Sequence, residues 1–253
     1  MSRFAWLILS VGLTAGVVGC GDSDTGGTGG SAGTGGSAGT GGSAGTGGSA
    51  GTGGSTVTVS GTTYSAALDG ESSVLPGATV SVVGGDSTTS GADGSFSLEA
   101  PVGTTMFLTT APGAWGELET ADVPAEGADA AEPEVIPDAL VATIGAALMQ
   151  TVDPGKGIVA IEFDANVAVG GESADLGSNY GFAFVFDEVG DPELGNELAA
   201  GADPIVFFIN VDLTSDVMAS ASAAGGGACP LEFPSVTFPS QAKVFTFIEA
   251  TCP

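Results

Sequence analysis

The sequence predicts a mainly β protein: two β-sandwich domains joined by a short helical connector, after a disordered Gly-rich linker. Three observations carry this. Short runs of alternating polar and β-branched or aromatic residues recur within 57–123 and 157–253, bounded by Gly, Pro or Asp, which is the spacing of a sandwich. One stretch, 138–149, sets apolar residues at helical spacing. Ahead of both, 25–55 repeats Thr-Gly-Gly-Ser-Ala-Gly and has nothing apolar to bury.

Residues 1–19 open with Arg3, continue through an apolar run over 4–18, and end on small side chains. Those are the parts of a secretory signal peptide, and the run falls short of the ~20 apolar residues of a membrane span. Val17-Val18-Gly19-Cys20 resembles the lipobox of bacterial lipoproteins. The resemblance implies that Cys20 is lipidated and becomes the mature N-terminus, small neighbours letting its thiol reach lipid and peptidase. The other reading is an uncleaved N-terminal anchor with an incidental Cys20. One acyl chain holds a protein only marginally and two hold it stably, at about 0.8 kcal/mol per buried CH₂. The multiply acylated Cys20 that the family implies is therefore a stable membrane partner. Gly21 follows it, not the Asp that marks inner-membrane retention, which points to the outer membrane, on its periplasmic or extracellular face. Residues 20–56 then form a tether, whose flexible coil of about 31 residues reaches roughly 30 Å.

Composition excludes several function classes. The chain has 30 acidic side chains, 3 basic ones and no histidine, for a net charge of −27. Removal of 1–19 leaves Lys156 and Lys243 as the basic side chains, too few to neutralise phosphates, so nucleic acid is not a partner. The same scarcity excludes a polybasic contact with anionic lipid. Absence of histidine removes the commonest general base and metal ligand. With Cys20 assigned to lipid, Cys229 and Cys252 remain as an even pair in an exported setting. A bridge between them closes a loop of roughly 24 residues and contributes on the order of 3 kcal/mol. A reactive thiol or a metal site is the alternative, and neither has a nearby His or a C-x-x-C spacing.

In 57–123 strands are expected at 56–60, 78–83, 95–99 and 106–110, with Asp93-Gly94 as a turn pair in which Gly takes φ > 0. Pro76-Gly77-Ala78-Thr79-Val80, Thr88 through Leu98, Pro101-Val102-Gly103 and Ala111-Pro112-Gly113 resemble the carboxypeptidase regulatory-like domain family. That resemblance covers about 57–112, departs at Gly91 where the family often has Asp, and implies a transthyretin-like (prealbumin-like, Ig-like) β-sandwich with an accessory role.

Residues 124–156 read as an acidic linker over 124–137 followed by a helix. Leu140, Val141, Ile144 and Leu148 share a face, Asp138 is placed to cap the start, and Pro154 bars continuation. Without basic residues this helix packs on the following domain instead of lying on a membrane. In 157–253 strands are expected at 158–163, 182–186, 204–211, 217–222 and 244–250. Phe182, Phe184 and Phe186 alternate, as do Phe245 and Phe247, which suggests a core face over a sugar-stacking surface. Phe96, Met106, Thr110 and Gly113 recur 112 residues later as Phe208, Met218, Ser222 and Gly225, a weak echo suggesting a second copy of the sandwich.

No catalytic set is legible: a Ser-His-Asp triad needs His, and no phosphate-binding loop is present. Asp187, Glu188, Asp191 and Glu193 form an acidic loop with Asn196 and Glu197 close by. Hard cations take several oxygens, so calcium is the one cofactor this loop suggests, though its spacing is no EF-hand and a solvated acidic loop is the plainer reading. The expected function is non-catalytic: a lipid-anchored envelope protein presenting β-sandwich modules to a glycan or surface protein, with a ligand-free structural spacer as the alternative.

Overall fold

Alternating Thr and Val open the fold at β1 (Thr56–Thr62), followed by β2 (Tyr64–Ser65), β3 (Ser73–Val74), β4 (Thr79–Val82), β5 (Ser87–Thr89), β6 (Ser95–Pro101) and β7 (Gly103–Thr110). Next come β8 (Ala114–Val123), β9 (Ala128–Ala131), β10 (Glu134–Pro137) and helix α1 (Asp138–Ala147). The last segment holds β11 (Gly157–Phe163), β12 (Ser173–Leu176), β13 (Phe182–Phe186), β14 (Pro192–Leu194), β15 (Ile205–Val211), β16 (Ala219–Ser222), β17 (Ala228–Cys229) and β18 (Val244–Ala250). A computed structural model describes residues 55–67, 72–164 and 168–253, and these belong to one compact unit.

The first segment builds a sandwich. β1 pairs antiparallel with β6 and parallel with β9. From this sheet Val59, Phe96, Leu98 and Ala100 pack against Val80, Val82 and Val123. In β6 the period of two is unbroken: Phe96, Leu98 and Ala100 are buried, and the residues between them are exposed. The turn before it uses Gly94 at φ 73°, where a Cβ would come within 2.6 Å of Val74 Cγ1. Asp93 Oδ1 accepts the Ser95 hydroxyl at 2.6 Å and the Ser95 amide at 3.1 Å, which together hold the Asp93 carboxyl below its ordinary range.

A larger sheet runs in the order β14-β13-β15-β11-β18-β8-β10-β2-β3, with β7, β4 and β5 continuing from β8. Its central strands are buried on both faces, which explains their near-continuous apolar runs. On β15, Ile205, Phe207 and Ile209 face α1, while Val206, Phe208 and Val211 face the small sheet β12-β16-β17. The helix thus covers one side of the sheet and a three-stranded sheet covers the other.

The predominance of strand matches the expectation, but no break separates the segments 57–123 and 157–253. Strand β18 lies parallel between β11 and β8, with Val244, Phe245 and Thr246 opposite Gly116, Glu117 and Leu118. The stretch 124–137 is not an exposed linker: it contains β9 and β10, and Glu134, Val135 and Ile136 are buried. Asp138 does not cap α1. It is the first helical residue, no side chain caps the helix start, and its Oδ2 accepts from Lys243 Nζ at 2.9 Å. The 112-residue echo does not map onto equivalent places. Phe96 lies on an edge strand of a three-stranded sheet and Phe208 on a central strand of the large one. Met106 is in β7, whereas Met218 is outside the strands and 60% exposed.

Candidate functional site

Asp187, Glu188, Asp191 and Glu193 lie on the β13–β14 hairpin, where Phe186 pairs with Pro192. Asp187 Oδ1 accepts the amides of Val189 and Asp191 at 2.9 and 2.8 Å. One oxygen of the carboxylate is thus committed to shaping its own turn, a local competition typical of Asp. Glu188, Asp191 and Glu193 are exposed. Among the described residues no group of three or more His, Cys, Asp or Glu converges in a metal-binding arrangement. Cys20 and the tether up to residue 54 lie outside the described residues.

Cys229 and Cys252 are joined in a disulfide with their Cα atoms 4.4 Å apart and a sequence separation of 23. Both are buried in the core between the large sheet and β12-β16-β17. The bridge fastens the small sheet to the segment that follows β18.

The aromatic stripe is a core. Phe184 stacks on Phe207 at 4.8 Å, and Phe186 meets both edge-on, at 5.4 and 5.9 Å. Phe207 meets Phe245 at 6.5 Å, and Phe245 in turn meets Trp115 at 6.1 Å. These offset and T-shaped contacts suit the ring quadrupole. Phe182, the outermost of the alternating set, is only half-buried. The alternation pointed to a core face, and Leu140, Val141 and Leu148 of the α1 segment pack with Phe184, Phe186, Phe245 and Phe247 in that core.

Between α1 and those rings the packing is incomplete. Leu140, Val141 and Leu148 are buried, but Ile144 is only partly so. A cavity of about 140 Å³ remains, walled by Leu140, Ile144, Phe184, Phe207 and Phe245 among others, with Thr143 as the polar side chain in its lining. Asn210 holds the loop after the helix in place. At φ 58° its amide donates to Thr151 O at 2.8 Å and accepts the Asp153 amide at 2.7 Å. The apolar i, i+4 spacing of 140, 144 and 148 is the sequence signal for this site, although it does not reveal that the space is unfilled.

Two carboxylate-lined hollows carry no sequence signal, because Glu in a strand ordinarily reads as solvated. Glu117 and Glu134 are 6% and 2% exposed; the Glu134 amide donates to Glu117 Oε2 at 2.6 Å, and the Ser72 hydroxyl bonds Glu134. They border a hollow of about 310 Å³ shared with Glu119 and Glu132. On the parallel pair β11–β18, Glu162 stands opposite Glu249, and Asp164 and Glu232 complete a second hollow of about 330 Å³.

No protein-family model matches the chain, so the carboxypeptidase regulatory-like resemblance rests on its motif residues alone. No curated protein matches it significantly. Among solved structures it is similar to the Bacillus anthracis TIE protein, with 11% identity over 78% of this chain and 34% of that one, at a TM-score of 0.24. A shaft pilin, SpaA of Lactobacillus rhamnosus GG (D295N mutant), has 12% identity over 79% of this chain and 99% of the pilin, at a TM-score of 0.22. A streptococcal ancillary pilin has 11% identity over 78% of this chain and 62% of the pilin, also at 0.22. The chain thus spans about a third of the TIE protein and under two thirds of the ancillary pilin. At these scores the likeness carries no argument.

Proposed function

We propose that this chain is a lipid-anchored envelope protein that holds its β body away from the membrane on a Gly-rich tether and acts by adhesion or recognition, not catalysis. The observation that carries the reading is the Cys229–Cys252 disulfide. A buried bridge belongs to an oxidising compartment, which is where a lipobox-type Cys20 would deliver the mature chain. The acidic surplus keeps such a body soluble and repels it from other acidic surfaces.

A second reading, a structural spacer without a ligand, is favoured by one observation. Phe184, Phe186, Phe207, Phe245 and Trp115 are all buried, so the rings that would stack on a sugar are spent on the core. Protein contact is therefore preferred to glycan contact within the adhesion reading. The test uses cells displaying the full-length chain, applied to surfaces coated with envelope polysaccharide or surface protein, with calcium and with chelator. Saturable, competable retention on protein coats is the expected result. Loss in chelator would show that the contact needs a divalent cation and return the Asp187–Glu197 loop as its candidate site. Retention no greater than that of cells lacking the chain would leave the spacer.

A further inference from the structure

We propose that the cavity beneath α1 is a binding site for a small neutral apolar molecule about the size of one aromatic ring. It is lined by Phe184, Phe207 and Phe245 on the sheet and by Leu140 and Ile144 on the helix, holds about 140 Å³, and opens to solvent on one side. Apolar cavities of about 150 Å³ lined by Leu, Ile and Phe stay dry and take up benzene or xenon. An unfilled space of that size forfeits contacts that a well-packed core would make, and a ligand restores them.

Charge decides what kind of apolar molecule fits. The lining holds no ionisable side chain. The two basic side chains of the described residues are both engaged elsewhere: Lys156 Nζ lies 2.5 Å from Asp212 and Lys243 Nζ 2.9 Å from Asp138. An acyl carboxylate would meet no cation here, inside a chain whose net charge is −27, so a neutral ligand is selected over an anionic one of equal shape. Entry has a visible place. Thr143 and Ala147 on the outer part of α1 are exposed yet line the cavity, and Gly190 and Pro192 of the β13–β14 hairpin line it half-exposed. The site does not depend on where the protein is displayed.

The test titrates toluene into the full-length chain, with protein-free detergent micelles as the blank, and reads saturation-transfer NMR and the melting temperature. The expected result is a saturable signal and a Tm rise of about 3–6 °C at tenfold excess over Kd, with benzoate at least tenfold weaker. Thr143→Phe and Ala147→Phe, each made singly at an exposed position, place a ring at the mouth and are expected to abolish the toluene response while the far-UV spectrum is kept. Should one of these variants fail to fold, the other decides, and the toluene–benzoate comparison on the unaltered chain stands regardless. Absence of saturation, equal binding of benzoate, or undiminished toluene binding in a folded plug variant would overturn the proposal.

Discussion

Phe207 touches three other rings, Phe184, Phe186 and Phe245, and sits on the central strand that faces the helix. Truncation to Ala is expected to cost about 3–5 kcal/mol, as for other buried aromatics, whereas Leu194→Ala on the exposed edge strand should stay within about 0.5 kcal/mol. Urea unfolding of both variants checks the contrast. Asp203 offers a pH test. One of its carboxylate oxygens is buried without a hydrogen-bond partner, and burial pushes its pKa from 3.8 up to about 6. A raised folded-state pKa means that the native state holds the proton more tightly than the unfolded chain. Its contribution is therefore fully present below about pH 4 and is lost as pH rises to about 6. Asp203→Asn is expected to melt higher than the parent at pH 7 and to show no such gain at pH 3.5, measured by calorimetry at both.

At the scale of elements, β8 is the seam. Its first residues pair with β10, its middle with β18, and Glu117 onward with β7. Gly116 sits where all of this converges: its amide donates to Lys243 O at 3.0 Å, and a Cβ there would stand 2.7 Å from Thr109 O. Gly116→Val is expected to destabilise by about 1–3 kcal/mol through overpacking and to raise hydrogen exchange in β18 as well as β8. This strand shows what sequence could and could not reveal. β6, β11, β13, β15, β18 and α1 were legible because their apolar periodicity is local. β8 was not: Gly116, Glu117, Glu119 and Asp122 interrupt its pattern, and the strand that completes it comes more than a hundred residues later. β10 was hidden likewise, since Glu134 between acidic and Pro residues reads as linker until its burial is seen. The cavity was half legible, in the spacing of Leu140 and Ile144 and the alternation of Phe182, Phe184 and Phe186, because spacing reports which side chains face each other and not how well they fill the gap.

At the scale of the whole molecule, charge and covalent closure set the stability. With a net charge of −27, self-repulsion opposes the compact state and salt screens it. Raising ionic strength from about 0.01 to 0.15 M, which shortens the Debye length from about 30 to 8 Å, should raise Tm by a few degrees, read by differential scanning fluorimetry. Reduction of Cys229–Cys252, a loop of separation 23, should remove about 3 kcal/mol and lower Tm by roughly 10 °C at this chain size. The most direct measurement of all concerns display: intact-mass analysis and membrane fractionation of the chain expressed in full in a Gram-negative host. The expected result is a membrane-bound protein that begins at an acylated Cys20 and is released by Cys20→Ser. A soluble protein, or a membrane-bound one that keeps residues 1–19 and an unmodified Cys20, would contradict the proposed anchor and with it the displayed module.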